Sequence, residues 1–399
     1  MSITKKGLSL YVHIPFCVQK CLYCDFLSAP AGDSVKEEYV QLLCQEITNW
    51  GEQLREEYHL QTIFLGGGTP SCLSPRQLLL LGETIQTAFE TENGLEYTTE
   101  ANPGTVTKEH AAAFRQMGIN RVSLGLQSAQ DTELQRLGRI HDYRQFLETY
   151  ERLRESGIEN INIDLMADIP GQTLASYQDT LTKVVALQPE HISAYSLIIE
   201  EGTPFYEMEQ KGCLESADED TDREMYTFTG EYLAQQGWNR YEISNYARPG
   251  KQCRHNCTYW QGGEYLGTGL GASSYLSQYR FSNPVEMKAY RQYVTGMGGR
   301  NWKEYAFPEI TLLSKKMQME EFCFLGLRMQ QGISRAEFEK RFGVSVNQVY
   351  SAVLPRLYEQ GLLAESQFHD RIYLTNRGID ISNRVLAEFL LDDSQNCCG

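Results

Sequence analysis

The first half of the chain alternates short apolar runs with amphipathic stretches, and this alternation restricts the fold more than any other feature. The runs are rich in Val, Ile, Leu and Tyr, and they lie at residues 8–14, 61–66, 95–102, 121–127, 160–166 and 191–198. The stretches between them carry apolar residues at helical spacing, over 37–54, 75–89, 108–117, 144–156 and 176–187. Because strands that alternate with helices form parallel sheets, we predict an α/β fold, a full or partial parallel (β/α) barrel.

Polar and glycine residues follow the predicted strands at the edge where barrel chemistry is found. The carboxyl ends of all strands in a parallel barrel meet at one face, and that face carries the functional side chains. It would gather Cys17, the glycines at 66–68, Glu100, Gln127 and Asp164. We therefore expect a single functional site there.

Cys17, Cys21 and Cys24 follow the first predicted strand with the spacing Cys-x3-Cys-x2-Cys. A structural zinc site takes four ligands. A four-iron, four-sulfur (4Fe-4S) cluster held by three thiolates instead leaves one iron without a protein ligand, and that iron can bind a small molecule. Two alternatives stay open, a zinc site completed by His13 and three unrelated buried cysteines.

A run of three glycines ends the second predicted strand, within residues 62–70. Glycine lets the backbone approach a ligand closely and adopt angles that other residues avoid. Main-chain groups of this turn can hydrogen-bond the amino group of a bound amino-acid moiety, although many such runs are only turns. No G-x-G-x-x-G pattern follows, so this is not the dinucleotide-binding fingerprint.

The sequence carries no sign of secretion or membrane insertion. No apolar run is long enough to span a bilayer, and the first residues include neither a long apolar region nor a small-residue cleavage site. We therefore expect a cytoplasmic protein whose 11 cysteines lie in a reducing compartment, where thiolate ligation is a better interpretation than disulfides.

Changes in composition and in predicted secondary structure along the chain suggest three parts. Residues 1–240 hold the predicted barrel, and residues 241–305 form a Gly- and Tyr-rich connecting region, with irregular loops expected over 240–282. Residues 306–399 predict three helices and a hairpin, which favours a small winged-helix-like domain. We expect no nucleic-acid partner, because the formal net charge is -16 and residues 306–399 hold 10 Lys or Arg against 12 Asp or Glu.

Six motifs in order give the chain a specific resemblance to a known family. Besides the cysteines they are Gly-Gly-Gly-Thr-Pro at 66–70, Thr-Glu-Ala-Asn-Pro-Gly at 99–104, Ser-Leu-Gly-Leu-Gln-Ser at 123–128, Leu-Gly-Arg-Ile-His at 137–141, and Asn-Ile-Asp-Leu-Met-Ala-Asp-Ile-Pro-Gly-Gln-Thr at 162–173. Together they resemble the coproporphyrinogen-oxidase-like branch of the radical S-adenosylmethionine (radical SAM) proteins. The resemblance covers nearly the whole chain.

Two features refine the resemblance within that branch. The oxygen-independent coproporphyrinogen III oxidases have a fourth cysteine where this chain has Phe26, and they carry a long N-terminal extension where only 16 residues precede Cys17 here. The motif His-Asn-x-x-Tyr-Trp, found at 255–260, is a feature of the HemW-type heme chaperones. The chain is therefore most similar to the HemW type.

This resemblance implies a function and a set of partners. It implies a protein that binds heme and transfers it to an acceptor protein, and that carries a 4Fe-4S cluster with exchangeable S-adenosylmethionine (SAM). The alternative is an oxygen-independent coproporphyrinogen III oxidase, and whether the chain is an enzyme stays open. A membrane-associated recipient and a homodimer also stay open.

The resemblance also implies roles for individual residues. The cluster would be held by Cys17, Cys21 and Cys24, and the SAM pocket would be lined by Tyr11, Tyr23, Gly67, Gly68, Thr69, Glu100, Gln127, Arg139, Asp164 and Ile198. Arg139 would pair with the ligand carboxylate. His255 would contact heme, with Tyr259 and Trp260 packed on the macrocycle. Alternatives are a helix-capping role for the carboxylates, a surface ion pair at Arg139, and a metal site at 253–257.

Overall fold

The computed structural model of the chain describes residues 5–214, 218–299, 301–304, 307 and 309–391. Its first half is the predicted alternation, with element ends within four residues of the predicted ones, together with one short helix at Asp131–Arg136 that was not predicted. The strands are β1 (Lys6–Ile14), β2 (Tyr58–Gly67), β3 (Thr91–Ala101), β4 (Arg121–Gln127), β5 (Asn160–Ala167) and β6 (His191–Ser196). The helices are α1 (Asp33–Leu54), α2 (Pro75–Ala88), α3 (Lys108–Met117), α4 (Asp131–Arg136), α5 (Tyr143–Glu155) and α6 (Leu174–Ala186), with a 3₁₀ turn at Pro70–Cys72.

Local sequence signals set the starts of four of these helices. Capping boxes begin α2, α3, α5 and α6 at Ser74, Thr107, Asp142 and Thr173. In each box the capping side chain accepts from the backbone N–H three residues later, which satisfies a donor that the helix itself leaves free. None of the described helices has the length and apolarity needed to cross a membrane.

The strands β1 to β6 pair in chain order and in parallel, and later elements extend both edges of this sheet. These elements are α7 (Pro204–Gln210), α8 (Glu219–Gln235), β7 (Asn239–Arg240), β8 (Asn245–Ala247), α9 (Arg254–Trp260), β9 (Tyr265–Thr268), β10 (Ser273–Leu276), β11 (Tyr279–Ser282), α10 (Met287–Met297), a 3₁₀ turn at Trp302–Glu304, and β12 (Glu309–Leu312). β9 pairs with β1 and β8 pairs with β6, so β1 and β6 do not meet. The barrel is therefore partial.

The prediction of irregular loops over 240–282 is wrong, because this segment contains β8 to β11 and α9. These strands are only three or four residues long, and one of them, β9, includes a glycine. A Cβ at Gly267 would lie 2.2 Å from the carbonyl oxygen of Ser273, so glycine is required where β9 approaches β10. Short length and glycine indicate loops in a sequence, and only pairing with the barrel makes this segment a sheet.

The C-terminal module has an apolar core of its own. Its elements are α11 (Lys315–Gly326), β13 (Ile333–Ser334), α12 (Arg335–Phe342), α13 (Val346–Val349), α14 (Val353–Glu359), β14 (Leu363–Glu365), β15 (Arg371–Leu374), α15 (Asn376–Asp380) and α16 (Ser382–Ala387). β13, β15 and β14 form a small antiparallel sheet. Helices followed by this hairpin agree with the predicted winged-helix-like fold.

Aromatic and polar contacts from α1 fix the added strands to the barrel. Trp50 of α1 is fully buried and stacks on Phe281 of β11, with ring centroids 5.8 Å apart. The carboxylate of Glu46, one turn earlier, accepts from the Gly269 N–H at 2.8 Å and from the Tyr290 hydroxyl at 2.6 Å. The barrel and its added strands therefore share one core.

Candidate functional site

The carboxyl ends of the parallel strands surround a cavity of about 310 Å³. Most of the predicted cluster and SAM residues line it, namely Cys17, Cys21, Cys24, Tyr23, Gly67, Gly68, Thr69, Glu100, Gln127, Arg139 and Asp164. The fold thus brings side chains from five strands and the loops after them to the face where the sequence predicts chemistry.

The loop that carries the three cysteines is held to the barrel by its backbone. The Leu22 N–H donates to the Leu137 carbonyl oxygen over 3.1 Å, and the Phe205 N–H donates to the Leu22 carbonyl oxygen over 3.0 Å. All three thiols are free and partly exposed. These main-chain bonds do not involve the thiols, so the loop keeps its position independently of what the thiols bind.

The arrangement of the thiols suits a cluster better than a single metal ion. Among the described residues, no three His, Cys, Asp or Glu side chains form a site for one ion, which also argues against the alternative metal site at 253–257. Each thiolate of an iron–sulfur cluster binds a different iron, so thiols spread along a cavity wall can hold a cluster. His13 is engaged elsewhere, with Nδ1 3.0 Å from the Tyr11 hydroxyl and Nε2 2.9 Å from the Leu27 carbonyl oxygen. The zinc alternative therefore lacks its fourth ligand.

Polar side chains contact the thiols of Cys17 and Cys21. The Thr69 hydroxyl lies 3.5 Å from Cys17 Sγ, and Arg139 Nη1 lies 3.5 Å from Cys21 Sγ. The Arg139 guanidinium also donates to Asn102 Oδ1 at 2.8 Å and to a main-chain carbonyl, while its buried Nε has no partner. No carboxylate pairs with Arg139 among the described residues. A buried cation of this kind can balance thiolate charge or bind a ligand carboxylate.

The glycine turn after β2 packs directly against the cysteine loop. The Gly68 N–H donates to the Ile14 carbonyl oxygen over 2.9 Å, and the Thr69 N–H donates to the Phe16 carbonyl oxygen over 2.7 Å. A Cβ at Gly68 would lie 2.6 Å from that Phe16 oxygen. Gly67 has a φ of 106°, in the region that favours glycine. Backbone therefore lines the cavity here because no side chain fits.

Two carboxylates, Glu100 and Asp164, line the same cavity. Glu100 Oε2 accepts from the Gly67 N–H at 3.0 Å. Burial, followed by the charge of Asp164, raises the pKa of Glu100 to about 8. Burial also raises the pKa of Asp164, although Ser123 and Asn162 donate hydrogen bonds to its carboxylate. A positively charged ligand in the cavity would therefore stabilise the ionised forms of Glu100 and Asp164.

The raised pKa of Glu100 predicts a pH-dependent affinity for SAM. Below pH about 8 the free carboxyl is protonated, whereas hydrogen-bond donors of the ligand favour the ionised form. Because Glu100 must lose its proton for SAM to bind, we expect the affinity for SAM to weaken by up to about tenfold for each pH unit below about 8. In the unfolded chain Glu100 has its ordinary pKa of 4.5, so it ionises at a lower pH than in the folded chain. Ionisation of Glu100 therefore favours the unfolded chain, and the free energy of unfolding falls as pH rises from 4.5 to about 8.

Calorimetric titration of the cluster-loaded protein with SAM between pH 6 and 8.5 measures this effect. Glu100→Gln stays neutral and should reduce the pH dependence, whereas Glu109→Gln, at an exposed position on α3, should keep the wild-type slope. The amine of SAM itself titrates near this range, so the difference between wild type and Glu100→Gln isolates the carboxyl group. Identical slopes for the two proteins would refute the prediction.

Gln127 ends β4 in the left-handed region, with a φ of 73°. A residue other than glycine is uncommon there, and such conformations concentrate at functional sites. Its Oε1 accepts from the Tyr195 hydroxyl at 3.0 Å. Sequence reasoning missed Tyr195 and Asn102 as cavity residues. Asn102 lies in the motif at 99–104, which offered a signal, whereas Tyr195 lies in a short strand outside the motifs and offered none.

Two of the predicted SAM contacts, Tyr11 and Ile198, lie outside the cavity wall. Ile198 is 69% exposed, because β6 ends at Ser196 and the chain then leaves the sheet. The ring of Tyr11 stacks on that of Phe64, with centroids 6.2 Å apart. Phe64 itself lines the cavity, so Tyr11 supports the wall from behind.

The helix α9 contributes Asn256 to the cavity wall but keeps His255 buried. Nδ1 of His255 lies 2.8 Å from the Thr62 hydroxyl, and Nε2 lies 2.8 Å from the Tyr259 hydroxyl. Burial lowers the pKa of His255 to about 3, so the ring is neutral. Heme contact through His255 stays a prediction, and it requires Nε2 to exchange the Tyr259 hydroxyl for iron.

Known proteins share this fold and sequence. The family model for the radical SAM superfamily matches residues 11–184, and the model for the HemN C-terminal domain matches residues 313–381. The chain is 37% identical to heme chaperone HemW of Lactococcus lactis, over 98% of this chain and 99% of that protein. It is 36% identical to heme chaperone HemW of Bacillus subtilis, over 96% and 99%.

A solved structure extends the comparison to the fold. Coproporphyrinogen III oxidase (HemN) from Escherichia coli, a radical SAM enzyme, superposes with a TM-score of 0.83 over 97% of this chain and 90% of that chain. The two sequences are 22% identical. This likeness covers both the partial barrel and the C-terminal module, and at this identity it shows the fold alone.

Proposed function

Because the chain belongs to the HemW family of radical SAM proteins, we propose that it is a heme chaperone that binds heme and transfers it to an acceptor protein. The sequence relationship carries this proposal, since it extends over 98% of this chain and 99% of the Lactococcus lactis protein. The second part of the proposal is a 4Fe-4S cluster on Cys17, Cys21 and Cys24, with exchangeable SAM. The cavity that these thiols share with two carboxylates and a buried guanidinium supports it.

The residues around the cavity have separable tasks in this proposal. Held by Cys17, Cys21 and Cys24, a cluster would supply an open iron for the amino-acid end of SAM and, when reduced, an electron able to cleave SAM. Arg139 pairs with the ligand carboxylate, and Glu100 accepts from the amino or ribose groups. The backbone at 67–69 meets the methionyl end, and Tyr23 lies near the adenine.

Phe26 favours a chaperone over a coproporphyrinogen oxidase. Its side chain is 63% exposed and lines the cavity, at the position where the resemblance to the oxidases would require a fourth cysteine. A phenyl ring cannot bind iron.

Heme titration of the reconstituted protein tests the proposed function. We expect saturable binding with a shift of the heme Soret band, and weaker binding by His255→Ala. This variant also removes the hydrogen-bond partner that His255 gives the buried Tyr259 hydroxyl, at about 1–3 kcal/mol, while the Thr62 hydroxyl keeps Ser9, so thermal unfolding is measured alongside. His110→Ala, on α3, is the control and should bind heme as the wild type does. Unchanged affinity of His255→Ala removes His255 from the site, and no saturable binding by the wild type contradicts the proposal.

The alternative enzyme function makes a different prediction. We expect no decarboxylation when the cluster-loaded protein is incubated anaerobically with coproporphyrinogen III, SAM and a reductant. Porphyrin products are separated by chromatography, and consumption of SAM is measured in parallel. Robust decarboxylation with SAM consumed would favour the oxidase.

The resemblance adds predictions about partners and location. A membrane-associated recipient, a homodimer and a cytoplasmic location remain predictions. Nucleic acid is not expected as a partner, since the formal net charge of -16 opposes phosphate binding.

A further inference from the structure

A second cavity lies between the barrel and the C-terminal module, and α9 forms part of its wall. It measures about 680 Å³ and adjoins another of about 490 Å³, with which it shares Arg240, Gln330 and Gln331. Each volume is in the range of about 300–1,000 Å³ that is typical of small-molecule sites. Because Asn256 lines the cysteine cavity while Cys257 lines this one, α9 separates the two spaces.

The charged side chains that line these two cavities are arginines, whereas the chain as a whole is acidic. The sequence has 52 Asp or Glu against 36 Lys or Arg, yet none of the described residues that line either adjoining cavity is Asp or Glu. Arg240 donates to the Tyr226 hydroxyl at 3.0 Å and to Asn376 Oδ1 at 3.4 Å. Arg371 donates to two main-chain carbonyls at 2.8 Å. Neither guanidinium has a carboxylate partner in the described part of the chain, which favours a ligand with two acidic groups.

Three of the described residues that line the larger cavity supply aromatic or sulfur surface, and the other ten are polar or charged. Tyr241 and Met329 belong to a small buried cluster, and Cys257 and Trp260 pack against it. The first three of these line the cavity. The Tyr241 hydroxyl is fixed by His191 Nε2 at 2.9 Å. Polarisable sulfur and aromatic surfaces suit a flat macrocycle, and sulfur is a soft ligand for a metal at its centre.

From these observations we infer that the two adjoining cavities hold heme, with its two propionate groups at Arg240 and Arg371 and its macrocycle against α9. This inference rests on the proposed heme-chaperone function and adds the location and the carboxylate contacts of the ligand. The His-Asn-x-x-Tyr-Trp motif occupies α9, and its two variable positions, Cys257 and Thr258, line the larger cavity. The cysteine cavity and the heme cavity then meet the same helix from different sides.

Heme titrations of full-length variants test this location. We expect Arg240→Gln to bind heme about tenfold more weakly, as expected for one lost charge-assisted contact, and the Arg240→Gln/Arg371→Gln double variant to bind more weakly still. Gln330→Trp fills the shared wall and should block binding without removing a charge. Arg384→Gln, at an exposed position on α16, is the matched control and should bind as the wild type does. Heme dimethyl ester, which lacks free carboxylates, should bind wild type and Arg240→Gln equally.

Two outcomes separate failure of the location from failure of the function. Wild-type binding of heme together with undiminished binding by Arg240→Gln, the double variant and Gln330→Trp would overturn the location and leave the chaperone function standing. Absence of heme binding by the wild type would overturn both. Circular dichroism of each variant shows whether the variant is folded. If the variants are unfolded, the affinities of wild type for heme and for its dimethyl ester test the location instead. Equal affinities would overturn the location.

Discussion

Replacing Cys17, Cys21 and Cys24 together with alanine is expected to abolish the iron–sulfur absorbance of the reconstituted protein at about 400 nm. The three thiols line one cavity, and no other described Cys, His, Asp or Glu side chains form a metal site that could take over. Iron content should fall from about four per chain to background, and SAM binding should be lost with it. Absorbance spectroscopy, iron and sulfide analysis and SAM titration measure the three effects.

The same variant should remain folded, which distinguishes loss of the cluster from loss of the protein. The loop is held through the backbone of Leu22, whose bonds to Leu137 and Phe205 do not use the thiols. Cys44→Ala/Cys213→Ala is the control, since neither thiol lines the cavity. It should reconstitute like the wild type. Normal iron content in the triple variant would end the cluster assignment.

Trp50→Ala should destabilise the barrel by about 3–5 kcal/mol. Trp50 is fully buried, and its ring lies 5.8 Å from that of Phe281, 6.0 Å from that of Trp302 and 6.5 Å from that of Phe307. The truncation leaves a large cavity between α1 and the strands added beside β1. We expect a lower urea midpoint in equilibrium unfolding followed by circular dichroism.

Phe368→Ala is the matched control for this aromatic truncation. Its side chain is 82% exposed in the turn between β14 and β15, so its loss should change the free energy of unfolding by no more than about 0.5 kcal/mol. Equal midpoints for Trp50→Ala and wild type would contradict the packing described for α1.

The parallel core of the fold was predictable because its signals are local. Most strands from β1 to β6 contain a short run rich in Val, Ile, Leu or Tyr, and capping residues such as Ser74 and Thr107 mark where helices begin. The strands β8 to β12 were not predictable, because they are short and are stabilised by partners distant in sequence. Tyr265, for example, pairs with Ser9 of β1. Hydrophobic periodicity carries no information on such a contact.

The residues of the candidate site also fall into those that the sequence predicts and those that it does not. The cysteine spacing, the glycine turn and Glu100 lie at strand ends, where topology brings them together. Ile198 lies beyond the end of β6 and outside the cavity wall, because a sequence does not show where the chain leaves a sheet, and its contact with SAM stays a prediction. The second cavity had no signal at all, since Arg240 and Arg371 are brought together only by docking of the C-terminal module on the barrel.

The position of α9 has a thermodynamic consequence. This seven-residue helix contributes to the walls of both the cysteine cavity and the proposed heme cavity. If SAM displaces α9 and thereby changes the affinity for heme by some factor, linkage requires that heme change the affinity for SAM by the same factor. Loading and release of the two ligands would then be reciprocal, so the SAM level would influence how firmly heme is held before transfer.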